Sequence, residues 1–196
     1  YDASAARQSA AGLQPLQVIH VSPAWANTNT ARFPSDLRDA FRFYRAMAQR
    51  WSGQLRAFEP WNEADIRDFG GHTGAEIASL QKAAYFGLKA GDSRLLVCQN
   101  VFAINRPATL EEFAANAPAP YFETMNLHHY IAFDAYPAWY AAFRAIASGR
   151  PLWVTECAMP VKWSGDPELK EPAAADLRVQ SERVAKVFAG ALHEGA

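Results

Sequence analysis

The 196-residue chain is 50% hydrophobic and 13% aromatic, which suits one globular domain with a sizeable core. Its net charge of −1 gives no electrostatic reason to expect nucleic acid or an anionic membrane as partner. No apolar run approaches the roughly 18 residues of a membrane span, and Cys98 and Cys157, both inside apolar runs, read as buried free thiols rather than a disulfide framework.

Residues 1–12 lack the charged and apolar regions of a signal peptide, so the compartment stays open. Residues 4–11 read as a helix that Gly12 ends. Residues 16–22 (LQVIHVS) read as a strand, rich in branched side chains and stopped by Pro23. A helix follows over 36–51, with Ser35 as N-cap and Leu37, Phe41, Tyr44 and Trp51 near one face. A second strand, 55–61, runs into Asn62-Glu63. Thr73-x-x-Glu76 is a capping box, and the helix it opens carries Ile77, Leu80, Ala84 and Leu88 on one face before Gly91 stops it.

The alternation continues. Residues 94–99 form a third strand, and Thr109-x-x-Glu112 opens a short helix anchored by Leu110 and Phe113. Residues 123–129 are a fourth strand. Trp139, Phe143 and Ile146 mark a helix that Gly149 ends, 152–155 is a fifth strand, and 175–193 a closing helix.

Strands alternating with helices imply an α/β fold with a parallel sheet and right-handed crossovers. The sheet can be open or closed into a barrel. No Gly-x-Gly-x-x-Gly or Gly-x-x-x-x-Gly-Lys loop follows a strand, so a nucleotide-binding open sheet lacks its usual support. The first helix has no strand before it, and Glu194-Gly195-Ala196 reads as a turn before a further strand. A complete (β/α)8 TIM barrel takes about 250 residues. The pattern is therefore expected to be an incomplete TIM barrel, with residues 1–196 one partial domain. Alone, such an arc would leave two strand edges and its lumen open to water.

Two of the strands end in a glutamate. Trp61-Asn62-Glu63 closes the second, and Val154-Thr155-Glu156 closes the fifth, 93 positions later. Retaining glycoside hydrolysis needs such a pair: one carboxyl protonates the leaving oxygen, and the other attacks the sugar from the opposite face. Each glutamate alone has an ordinary rival. An Asn-Glu after Trp can cap the next helix, and Glu156 can be a surface carboxylate.

The segments FEPWNEAD (58–65) and LWVTECAMP (152–160) resemble the clan A glycoside hydrolases, (β/α)8 retaining enzymes that include cellulases, mannanases and β-xylosidases. In that clan the fourth strand ends in Asn-Glu, which bears the acid/base, and the seventh in the nucleophile, with two strands between them. The resemblance implies that this chain spans strands three to seven. It implies Glu63 as acid/base and Glu156 as nucleophile, with Asn62 on the sugar 2-hydroxyl. His128-x-Tyr130 is similar to the sixth-strand residues that contact sugar and nucleophile. The implied partner is a carbohydrate, a β-linked glycan or glycoside, with no cofactor and no metal.

Strand alternation adds directions to these residues. It puts Ala57, Glu59, Trp61 and Glu63 on one face, and Asn126, His128 and Tyr130 on one face with Leu127 outward. It groups Leu152, Val154 and Glu156, with Trp153 and Thr155 opposite. Polar groups thus collect where the lumen is expected. Trp25 and Trp61 stand at strand ends where a sugar ring can stack, with burial as the alternative for each. Glu59 reads as a buried structural carboxylate, and His72 as a residue of the solvated, glycine-rich loop 69–74. His20 and His129 read as core or rim histidines.

Two other functions fit parts of the pattern. A metal-dependent hydrolase could use His20, His128, His129 and a strand-end carboxylate, although neither His-Glu-x-x-His nor His-x-His occurs. A non-catalytic carbohydrate-binding barrel would keep the tryptophans but would not need both glutamates.

Overall fold

A computed structural model describes residues 2–158 and 174–196 of the chain. Met159 and Pro160, the end of the second motif, lie outside the described residues. Among the described residues, helices and strands alternate: α1 (Asp2–Ala10), β1 (Leu16–Val18), α2 (Leu37–Arg50), β2 (Ala57–Glu59), α3 (Gly74–Gly91) and β3 (Leu96–Val97). They continue with α4 (Pro107–Ala115), β4 (Met125–His129), α5 (Tyr136–Ile146), β5 (Leu152–Cys157) and α6 (Ala174–His193).

Every strand pairing is parallel. β1, β2 and β3 form one small sheet and β4 and β5 another. Parallel bridges between Cys98 and Thr124 and between Phe102 and Leu127 stitch the two together. The strands therefore lie side by side in chain order. A doubly wound sheet reverses its order at a switch point, whereas sequential order is the winding of a β/α barrel. The helices follow suit, with α2 packed on α3, α3 on α4 and α4 on α5.

The helix caps explain where these elements start. The Thr73–Glu76 capping box forms, with the Glu76 N–H on Thr73 Oγ1 at 3.2 Å and the Thr73 N–H on Glu76 Oε2 at 2.9 Å. The N-cap of α2 is Asp36 rather than Ser35, because its carboxylate accepts the Arg38 N–H at 2.8 Å. Helix α4 starts at Pro107, before Thr109: proline presets the helical φ and has no N–H to satisfy. Glu112 reaches instead to the Gly74 N–H at 2.8 Å and ties α4 to the start of α3. A Cβ at Gly74 would sit 2.3 Å from the Thr109 carbonyl, so only glycine permits this approach.

The strands are shorter than the apolar runs. After β1 the chain leaves the sheet at Ile19, whose carbonyl takes the Asn62 N–H at 2.7 Å, and turns so that the Ser22 N–H bonds Thr30 O at 2.8 Å. The face toward the helices is apolar and aromatic. Tyr44 of α2 meets Phe58 of β2 edge-on at 5.8 Å, and Phe102 meets Phe113 of α4 at 5.2 Å.

One irregularity reorients a strand end. Met125, Asn126 and Leu127 pair with Leu152, Trp153 and Val154, but His128 then pairs with Glu156 and His129 with Cys157. Thr155 is the extra residue of a β-bulge. Leu152 and Val154, paired with Met125 and Leu127, pack with the helix-side core, and the bulge brings Glu156 to the opposite face, which Thr155 also joins. This corrects the strict alternation read from the sequence, which grouped Leu152, Val154 and Glu156.

Candidate active site

The loop after β2 carries Glu63 in a left-handed backbone conformation, φ +43°. Side chains rarely adopt this region, and such strain persists only where the surroundings impose it. Here they do. The Ala64 N–H bonds Val101 O at 3.3 Å and the His72 N–H bonds Ala64 O at 2.8 Å. Buried Asp65 accepts the Ala103 and Ile104 N–H groups, both at 2.9 Å, locking this loop to the one after β3. Burial raises the Asp65 pKa against the lowering effect of those bonds.

Glu63 is only 9% exposed, and its Oε1 lies 3.0 Å from Nδ1 of buried His128 on β4. The same Nδ1 is 3.9 Å from Glu156 Oε2. Tyr130, just beyond β4, donates its hydroxyl to Glu156 Oε1. The Glu156 side chain is 48% exposed at the mouth of the site. One ligand-type atom from each of Glu63, His128 and Glu156 falls within 4.8 Å of the others. The fold thus brings together four of the residues singled out in the sequence, all at one end of the sheet. Asn62 adjoins them, half-buried, with its backbone tied to β1.

The two tryptophans part company. Trp61 is 1% exposed, its Nε1–H donates to Phe69 O at 3.1 Å, and its ring meets Phe33 edge-on at 5.0 Å. Protein encloses the ring, so it is a packing residue and not a platform for a sugar. Trp25 is 76% exposed on the loop after β1. It lines a small, largely apolar cavity of about 80 Å³ with Val21, Pro23, Phe43 and Tyr44, bounded by α2.

Of the histidines proposed as metal ligands, only His128 reaches the carboxylates. His20 is exposed and stands edge-on to Phe69 at 6.1 Å. His129 faces the helices, with Nε2 2.9 Å from the Tyr140 hydroxyl and its ring 4.7 Å from that of Tyr136. A cation at this site would have Glu63, His128 and Glu156 as ligands.

His72 is not the solvated loop residue expected. It is buried, stacks on Phe33 at 3.4 Å, and its Nε2 accepts the Phe33 N–H at 3.3 Å. Burial, assisted by Arg32, lowers its pKa from 6.5 to about 4. The unfolded chain therefore takes up this proton near pH 6.5 and the folded chain only near 4. Stability present above that window is lost as pH falls through it, at up to about 1.4 kcal/mol per pH unit. Thermal unfolding should decline across this range more steeply for the wild type than for His72→Gln, and parallel curves would contradict the assignment.

Two contributors escaped the sequence reading. Asp65 had a usable signal, as an acid in a tight turn that can accept backbone N–H groups. Thr155 had none, because nothing local marks the bulge.

No protein-family model matches the sequence, and no curated protein does. Solved structures are similar in fold. The glucosidase of Croceicoccus marinus matches over 97% of this chain and 42% of its own, at TM-score 0.64 and 14% identity. The GH10 protein of Paenibacillus barcinonensis matches over 96% and 64%, at TM-score 0.64 and 13% identity. A GH128 (subgroup I) endo-β-1,3-glucanase of Amycolatopsis mediterranei, solved with laminaritriose, matches over 78% and 62%, at TM-score 0.52 and 22% identity. The chain spans less than two thirds of each of these proteins. The likeness is one of fold: a parallel β/α architecture shared with glycoside hydrolases.

Proposed function

We propose that the protein is a retaining glycoside hydrolase acting on a β-linked glycan or glycoside, the five strands among the described residues being the third to seventh of a (β/α)8 barrel. The observation that carries this reading is the cluster of Glu63, His128 and Glu156, with oxygens of the two carboxylates within 4.8 Å. Retaining enzymes hold their carboxyl groups about 5–5.5 Å apart, and inverting ones about 6.5–9.5 Å, to admit a water.

In this mechanism Glu63 donates its proton to the leaving oxygen while Glu156 attacks the anomeric carbon, forming a glycosyl ester. Glu63 then takes a proton from water, which attacks the same carbon and releases Glu156. His128 aims the Glu63 carboxyl through their shared hydrogen bond, and the Tyr130 hydroxyl fixes the Glu156 oxygen it contacts. Asn62 binds the sugar 2-hydroxyl. Trp25 offers a stacking face at the rim.

The test is turnover of chromogenic β-glycosides and β-glucan oligosaccharides by the full-length protein, with the first-formed anomer read by NMR. Retained configuration, unaffected by chelator, is the expected result. Loss on chelation with recovery on adding a divalent metal would favour a metal hydrolase. Sugar binding without turnover would favour a carbohydrate-binding barrel.

A further inference from the structure

Glu156 reaches the lumen through the bulge at Thr155, and one buried side chain holds that bulge. Glu59 of β2 is 2% exposed. Its Oε1 accepts the Thr155 hydroxyl at 2.6 Å and Asn126 Nδ2 at 2.7 Å. Asn126 in turn accepts the Thr124 hydroxyl at 2.7 Å. One carboxyl group therefore joins β2, β4 and β5 across the lumen.

A barrel interior is ordinarily filled by branched apolar side chains. A buried carboxyl group is costly there unless hydrogen bonds satisfy it. Burial raises the Glu59 pKa, against the effect of its two bonds. What the residue supplies is an acceptor at a fixed point. Because Asn126 and Thr155 share one oxygen, Thr155 is drawn toward Asn126 and away from the position opposite His128. Glu156 takes that position. In an unbulged register Thr155 would stand opposite His128 and Glu156 opposite His129, whose ring is buried against Tyr136 and Tyr140.

We propose that Glu59 is a positioning residue for Glu156: by holding the Thr155 hydroxyl it fixes the bulge that turns the next carboxylate toward His128 and Tyr130. The inference rests on the catalytic reading of Glu156. It adds the device that sets the direction of that side chain.

The test compares Thr155→Val, Thr155→Ser, Glu59→Gln and Glu59→Leu in the full-length protein. Valine matches threonine in shape and suits a strand, so Thr155→Val keeps the fold while removing the donor. Thr155→Val and Glu59→Leu should each lower kcat by about 10²-fold with KM within about twofold, as expected for a misplaced group. Thr155→Ser and Glu59→Gln, which keep donor and acceptor, should stay near the wild type. The Thr155→Val/Glu59→Leu double variant should be no worse than either single one. A crystal structure of Thr155→Val should show Glu156 displaced from Tyr130 and residue 155 opposite His128. An unchanged register in that structure, or losses that multiply independently, would overturn the proposal. A wild type without glycosidase turnover would end the functional reading instead, and the register in the Thr155→Val crystal would still decide the role of Glu59.

Discussion

Glu156→Ala is expected to lower kcat/KM by roughly 10⁴-fold or more, and azide is expected to restore turnover with inverted anomeric configuration. Without the carboxylate no glycosyl ester can form, and alanine leaves room beside Tyr130 for a small anion. Azide attacks the anomeric carbon from that side, the leaving oxygen takes the Glu63 proton, and the product is a glycosyl azide. The product configuration is the informative readout, because a merely damaged site would not yield it. Little stability is at stake, since the side chain is 48% exposed and such substitutions are usually within about 0.5 kcal/mol. A Glu156→Ala protein that keeps wild-type turnover, or that stays folded yet unresponsive to azide, would remove Glu156 from the nucleophile role.

The same residue shows where local sequence stops being informative. The order of helices and strands is legible because each has its own period and punctuation: the Thr73–Glu76 box, the apolar faces of α3 and α5, the branched run at β1. Strand ends are less so, since pairing with a neighbour decides them, and β1 leaves the sheet at Ile19 although its apolar run continues to Val21. The direction of Glu59 follows from simple alternation along β2. That of Glu63 does not, because the strand ends at Glu59 and the left-handed turn at Glu63 is held by the loop after β3. Nor does that of Glu156, because it depends on a hydroxyl in β5 meeting a carboxylate in β2. The burial of Trp61 likewise depends on Phe33, from the loop after β1, and on His72, further along its own connection. Residues whose role is set by their own strand were readable. Those set by a partner on another strand or loop needed the fold.

Replacing Glu63 tests chemistry and backbone strain together. Glu63→Ala should slow substrates with poor leaving groups by about 10²–10⁴-fold, the usual contribution of a general acid. Activated aryl glycosides should lose far less in the first step, because their leaving group departs without a proton. Equal losses for the two substrate types would argue against the acid role. Stability gives a separate reading of the same position. At φ +43° alanine keeps the Cβ that disfavours a left-handed backbone, and glycine does not. Both variants lack the carboxyl group, so each loses the contact with His128 equally. Glu63→Gly should therefore unfold at a higher temperature than Glu63→Ala, by an amount equivalent to about 1 kcal/mol. Glycine's greater freedom in the unfolded chain offsets part of the gain, so an alanine variant as stable as the glycine one would show that little strain is stored at Glu63. With glycine more stable and both variants losing the leaving-group-dependent rate, the strain belongs to the position and the chemistry to the carboxyl group.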